Sequence, residues 1–233
     1  EKIAIEKGIQ IVICIDEFQQ ISDFEDSKTF QKKLRSVWQL QQHVSYCLFG
    51  SKKHLMNELF EKKNLPFYKF GDAIYLAKIE TKYWIEYICK RFENTGKHIS
   101  PELAEEICRL VDNHSSYVQQ LSWLLWIRTI NTATTEQLSY ALEDLLDQNN
   151  ILFQSETENL SAYQMNFLKA IVDGIHTKFS SKEVISKYNL GTSANIVRLK
   201  NALLQKELIE TNGKEIVLAD PVFGVWFKKE MLY

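Results

Sequence analysis

The sequence predicts an α/β plus all-α protein: a partial parallel sheet with crossover helices, then a helical domain, then a C-terminal winged helix. Three observations carry this. Strand-like apolar runs alternate with amphipathic helices over residues 1–79. Residues 80–150 show helical patterning alone. Residues 151–233 read as three helices followed by a hairpin. These three ranges are the expected domains.

In the first range, GIQIVICI is rich in β-branched residues and reads as a strand buried on both faces. From Ser27 to Gln42 the apolar residues Phe30, Leu34, Val37, Trp38 and Leu40 follow near-helical spacing, with Ser27 as N-cap. SYCLFG is a second buried strand, KKHLMNELFEKK a short amphipathic helix that Pro66 closes off, and AIYLAKI, residues 73–79, a third strand. Strands separated by helices imply a parallel sheet.

The second range opens with TKYWIEYICKRFENTG, stopped by Gly96 in the manner of a C-cap. SPELAEEICRLVDN has Ser100 as N-cap, Pro101 at the first helical position and acids in the first turn. YVQQLSWLLWIRTI and TTEQLSYALEDLLDQ complete four helices, and Tyr117, Trp123 and Trp126 read as one buried face. In the third range, LSAYQMNFLKAIVDG, SSKEVISKYNLG and TSANIVRLKNALLQKEL precede two short strands around Asn212-Gly213, a strong hairpin signal. That order is the winged form of helix-turn-helix. The tail DPVFGVWFKK is expected to pack back on the wing.

Composition sets outer bounds. The 233 residues are 45% hydrophobic and 25% charged, with a net charge of −2. This balance asks for neither a polyanion nor an anionic membrane as partner. No apolar run approaches the roughly 18 residues of a membrane span, and no secretory pattern is present. A cytoplasmic protein without membrane attachment is expected. Cys14, Cys47, Cys89 and Cys108 form no CxxC pair and read as reduced core thiols. The chain opens at EKIAIEKGIQ, without methionine and almost at a strand, as a fragment of a longer protein would.

The chemistry lies in IVICIDEFQQI, residues 11–21, where an apolar strand runs into Asp16 and Glu17. Ligands of open α/β sheets sit beyond the carboxyl ends of the strands. Phosphoryl transfer there needs one carboxylate for Mg²⁺ and one to orient or deprotonate water. Asp16 and Glu17 would supply them, although a strand ending at a polar loop produces the same pattern. The neighbouring strand ends in Gly50-Ser51 before a helix. Ser51 is placed to touch a γ-phosphate or the attacking water, or to cap the helix, or both.

Taken in order, ICIDEFQQI, CLFGSKKHLMNELF, PFY, NHSSYVQQLSWLLW and the winged helix resemble the archaeal-type AAA+ ATPases, P-loop ATPases of the STAND kind. The resemblance covers nearly the whole chain. It implies that Asp16 and Glu17 are the Walker B pair and Ser51 the sensor-1 residue. Residues 80–150 would be the lid over the nucleotide, with His114 and Tyr117 facing it. ATP or ADP and Mg²⁺ are the implied cofactors, and assembly into a homo-oligomer is compatible with the family.

The sequence departs from the family in three places. GxxxxGK[ST] does not occur, and that loop is expected upstream of Glu1. After PFY the chain reads KFGD rather than Gly-Arg, leaving Lys69 as the nearby cation. His114-Ser115-Ser116-Tyr117 lacks the family's proline, and His114 also fits a simple helix-start residue.

The third helix of the winged domain offers Ser193, Asn195, Arg198, Asn201 and Gln205, types able to read base edges. Residues 151–233 hold nine Lys and one Arg against seven Glu and two Asp, a net of +1. That is weak for DNA, although Lys182, Lys187, Arg198 and Lys200 would suffice if they shared a face. Two functions follow: a nucleotide-driven conformational switch, or a non-catalytic protein- or DNA-binding module that uses the ATPase fold as a scaffold.

Overall fold

A computed structural model describes residues 1–232, which form two units: Glu1–Leu76, and a second beginning at Ala77.

In the first unit a short helix, α1 (Lys2–Lys7), ends on Gly8 in the left-handed region at φ 61°. Strands β1 (Ile11–Ile15) and β2 (Val44–Leu48) pair in parallel, Ile11 opposite Val44 through Ile15 opposite Leu48. A 3₁₀ turn over Phe18–Asp23 and helix α2 (Ser27–Trp38) make the crossover. Asp26 takes the N-cap position of α2, and the Ser27 hydroxyl instead donates to the Ile21 carbonyl at 2.8 Å. Helix α3 (Lys53–Glu61) follows β2. Phe18, Ile21, Leu59 and Phe67 are the buried centre of this unit, with Phe18 meeting Phe67 edge-on at 5.4 Å. Arg35 of α2 lies over Phe70 and donates to the carbonyls of Pro66 and Tyr68, which pins the PFY segment.

Two expectations fail here. The first concerns β1, read as buried on both faces: Val12 is 64% exposed, and Ile13, Cys14 and Cys47 are exposed with it. Among the described residues this sheet has two strands, and the middle of β1 is exposed on both faces while Ile15 at its end packs on the buried cluster. The second is the strand at 73–79. The segment is irregular, with Ile74 84% and Leu76 93% exposed. No described strand runs beside it to take its backbone N–H and C=O groups, and a strand without a ladder does not form.

The second unit holds α4 (Thr81–Glu93), α5 (Pro101–Leu110), α6 (Ser115–Arg128) and α7 (Thr135–Glu158). After them come α8 (Ala162–Val172), α9 (Lys182–Tyr188), α10 (Ser193–Gln205), β3 (Ile209–Asn212), β4 (Glu215–Leu218) and α11 (Pro221–Leu232). Ser100 caps α5 as the sequence announces, and two capping boxes join it. Ser100 accepts from the Leu103 amide, and Thr134–Gln137 and Ser161–Gln164 close as capping boxes. Gly96 (φ 73°) turns the chain after α4, and Gly213 (φ 62°) turns the antiparallel β3–β4 hairpin.

The four-helix part and the winged helix share one continuous core, from Trp84 to Phe227. Helix α7 runs unbroken across residue 150. The tail forms α11, which packs on α7 and α8 as well as touching β4. Phe153 of α7 meets Phe223 edge-on at 5.4 Å and Trp226 at 5.6 Å, and Trp226 Nε1 donates to Asn150 Oδ1 at 2.8 Å. The tryptophan stripe divides. Tyr117 is buried, but Trp123 is 57% exposed and Trp126 lies between. The buried positions of α6 are Tyr117, Val118, Leu121, Leu124 and Leu125. Six residues from Tyr117 to Trp123 turn a helix well past one face at 3.6 residues per turn.

Candidate nucleotide site at the strand tips

At the end of β1 the chain turns through Glu17, whose backbone is left-handed (φ 49°, ψ 41°). That conformation costs a non-glycine residue about 1 kcal/mol and is typical of functional turns. The turn is fixed from both sides. The Phe49 amide donates to the Ile15 carbonyl at 3.1 Å, and the Phe18 amide to the Phe49 carbonyl at 3.0 Å. The parallel ladder therefore continues past β2 and sets Ser51 beside Glu17.

The Ser51 hydroxyl donates to the Glu17 carboxylate, at 3.0 Å to Oε1 and 3.3 Å to Oε2. Gln19 Nε2 donates to Glu17 Oε2. The Ser51 hydroxyl bond, the Gln19 bond, the Ser51 backbone and the charge of Lys52 outweigh desolvation and hold Glu17 below the usual carboxylate range. It is ionised at neutral pH. Ser51 does not cap the following helix, since Lys52 holds the N-cap position. Asp16 is exposed, and its Oδ1 accepts from the Glu17 amide at 2.8 Å.

Gln19 is the residue sequence reasoning missed. It is 2% exposed, and its Oε1 is buried without a donor among the described residues. A Cβ added at Gly50 would lie 1.9 Å from that oxygen, so the Gln19 side chain fits only because residue 50 is glycine. The one sequence signal was a glutamine two residues past the acids, in a motif otherwise read for its charges.

The donor set fits Mg²⁺ of the kind held by one carboxylate, water and substrate phosphates. Asp16 offers one exposed carboxylate, and no group of three or more His, Cys, Asp or Glu among the described residues could hold a metal ion by itself.

His114 and Tyr117 lie in the second unit. His114 is the N-cap residue of α6, its Nδ1 is buried without a partner among the described residues, and its ring is 4.8 Å from that of Tyr117. The Tyr117 hydroxyl donates to Asp220 Oδ2 at 2.5 Å, while Asp220 Oδ1 accepts from the Val222 and Phe223 amides at 2.7 and 3.0 Å. Asp220 thus caps α11 and ties it to α6. Burial, then the Asp220 bond, push the Tyr117 phenol far up, so it stays a donor. Burial and Asp220 also raise the carboxyl of Glu156.

In the winged helix, Arg198, Asn201 and Gln205 are exposed along α10, as is Val197. Asn195 instead donates to the Leu190 carbonyl at 3.0 Å and serves the turn before α10. No helix among the described residues is long and apolar enough to cross a membrane.

The architecture is mixed α/β with a small parallel sheet, a helical region and a C-terminal winged helix, the fold of P-loop ATPase-like proteins. A family described as "Probable winged helix domain" matches residues 151–229. Among solved structures, the chain is similar to the Walker-type ATPase PABY2304 of Pyrococcus abyssi, with a TM-score of 0.73 at 17% identity. That match covers 97% of this chain and 65% of the other, so the chain spans less than two thirds of that protein's length. The Holliday junction branch migration motor RuvB of Thermotoga maritima follows with a TM-score of 0.47 at 14% identity, covering 99% of this chain and 73% of that one. The latter score is too low to carry an argument. No curated protein sequence matches the chain.

Proposed function

We propose that the chain is an ATP-binding and ATP-hydrolysing module of the AAA+ type, of the STAND kind, acting as a nucleotide-driven conformational switch. The functional division is a nucleotide-binding part over residues 1–79, a lid over 80–150 and a winged helix over 151–233. The observation that carries this is the Ser51–Glu17 bond of 3.0 Å, which joins the tips of two adjacent parallel strands around an ionised carboxylate.

In this reading Glu17 is the general base that takes a proton from the attacking water. Its clamping by Ser51 and Gln19 is a resting arrangement, and turnover requires at least one of those donors to let go. Asp16 would hold Mg²⁺ through water, and the ion would draw charge from the phosphate oxygens. His114 and Tyr117 are the lid's nucleotide-facing pair. Because Tyr117 also holds Asp220 and the two parts share one core, a change at the lid would reach the winged helix through that hydrogen bond and the packing around it. The exposed apolar β1 supports a working form whose sheet has more strands, and in this reading a phosphate-binding loop would come with them.

The test is ATP turnover by the native-length protein beside its Glu17→Gln variant. The variant should bind nucleotide and lose about 10²-fold or more in turnover, the usual contribution of a general base. Equal turnover in both, or no nucleotide binding by the unaltered protein, would overturn the reading.

One observation favours a second reading, a winged helix that contacts DNA or protein on an ATPase-fold scaffold. The outward face of α10 presents Arg198, Asn201 and Gln205 around Val197, which is 62% exposed. A duplex affinity that falls steeply with salt would assign that face to DNA, and a flat dependence would assign it to protein.

A further inference from the structure

Helices α4 and α6 leave between them an open groove of about 610 Å³. Its floor is Ile88 and Phe92, both buried. One wall is Tyr87 with Arg91, whose guanidinium lies 5.0 Å from the Tyr87 ring centre. The other is Trp123, exposed, and Trp126, whose Nε1 is held by Thr95 Oγ1 at 2.9 Å. Lys97 Nζ sits 3.9 Å from the Trp126 ring centre.

The polar groups are of a particular kind. No lining residue is acidic, and Arg91 has no carboxylate partner among the described residues. Gln119 and Gln120 each donate one amide N–H, to the Ser115 carbonyl at 3.2 Å and to the Ser116 hydroxyl at 2.8 Å, which fixes their orientation. Their carbonyl oxygens remain as acceptors. The groove thus offers aromatic faces, acceptors for N–H groups and one unpaired guanidinium. Further along the same helix Ile127 is also exposed, so the outer side of α6 carries two large apolar residues, Trp123 and Ile127, among its polar ones.

We propose that this groove docks an extended peptide segment of a partner protein that carries an apolar or aromatic side chain next to a carboxylate. The side chain packs between Tyr87 and Trp123, the carboxylate pairs with Arg91, and peptide N–H groups donate to Gln119 and Gln120. A nucleic-acid strand would also stack on the tryptophans, but it needs a cationic surround. Residues 81–128 hold six Lys and Arg against six Asp and Glu, which is no such surround. The proposal does not rest on the nucleotide reading.

The experiment is selection of a random peptide library on the native-length protein, followed by fluorescence anisotropy with the selected peptides. Selected sequences should place Trp, Phe, Leu or Pro within a few residues of Asp or Glu. Trp123→Ala should weaken them about thirtyfold and Arg91→Gln about tenfold. Both side chains are exposed, so melting temperatures should not move. Ile151→Ala, an exposed apolar side chain outside the groove, should change nothing. Failure to select any peptide, or peptides indifferent to Trp123 and Arg91, overturns the proposal. So does labelled oligo(dT) binding that depends on Trp123 while no peptide does.

Discussion

The two units of this chain solve the burial problem differently. In the first, four residues form the buried centre, and β1 leaves Val12 and Ile13 in solvent. In the second, helices from α4 to α11 close over a single core. The candidate chemistry sits in the thin unit, and the connected core in the thick one. Local opening comes most easily where few apolar contacts are buried. The proposed role of Glu17, which would have to leave Ser51 and Gln19 to act, suits such a place, and the proposed switch suits a body with one connected core.

The contrast is breakable by substitution. The largest effect should come from Trp226→Ala, which removes a fully buried side chain at the contact of α7 and α11 and should cost about 3–5 kcal/mol. Thermal unfolding followed by circular dichroism should show the helical and winged parts melting together. A winged helix that melts while α4–α6 stay folded would split the second unit in two. Asp220→Ala should cost less, about 1–3 kcal/mol, because it uncaps α11 and strips Tyr117 of its acceptor. Tyr117→Phe should cost about 1 kcal/mol by chemical denaturation.

A smaller effect sharpens the electrostatics. Glu156 has a raised carboxyl pKa in the folded chain, so the native state binds the proton more tightly than the unfolded state. Its contribution to stability is therefore favourable at low pH and is lost as pH rises through the folded value. Glu156→Gln should raise the melting temperature slightly at neutral pH and flatten that part of the pH profile. The reverse sign would show that Asp220 and Glu156 are not crowded together. Finally, Cys14 and Cys47 are exposed, whereas burial pushes the Cys108 thiol up to about 11. A thiol reagent under native conditions should label the first two and spare Cys108.

How far the sequence could be read depended on the range of the interactions. The Ser100 cap, the Gly96 stop and the hairpin were legible because each is decided within a few residues, and the parallel β1–β2 pair because strands separated by a helix must run that way. Glu17 and Ser51 were legible as candidates because strand tips are marked by a change from apolar to polar. Their mutual bond was not, since it depends on how two strands align. The same limit explains the misses. Nothing near Tyr117 announces Asp220, 103 residues later. Nothing near Trp123 says whether a neighbouring helix covers it. Strand-forming side chains at 73–79 do not make a strand without a partner, and an apolar β1 is buried only where a layer lies over it.

The most direct test of the account is hydrogen exchange on the native-length protein with and without Mg²⁺ and ATP. The account predicts slowed exchange at residues 15–19 and 49–51, with α6, α7 and α11 either unchanged or changing together. Unchanged exchange at both strand tips under saturating ATP would contradict the nucleotide site. Exchange in α11 that departs from α7 would contradict the single responding body.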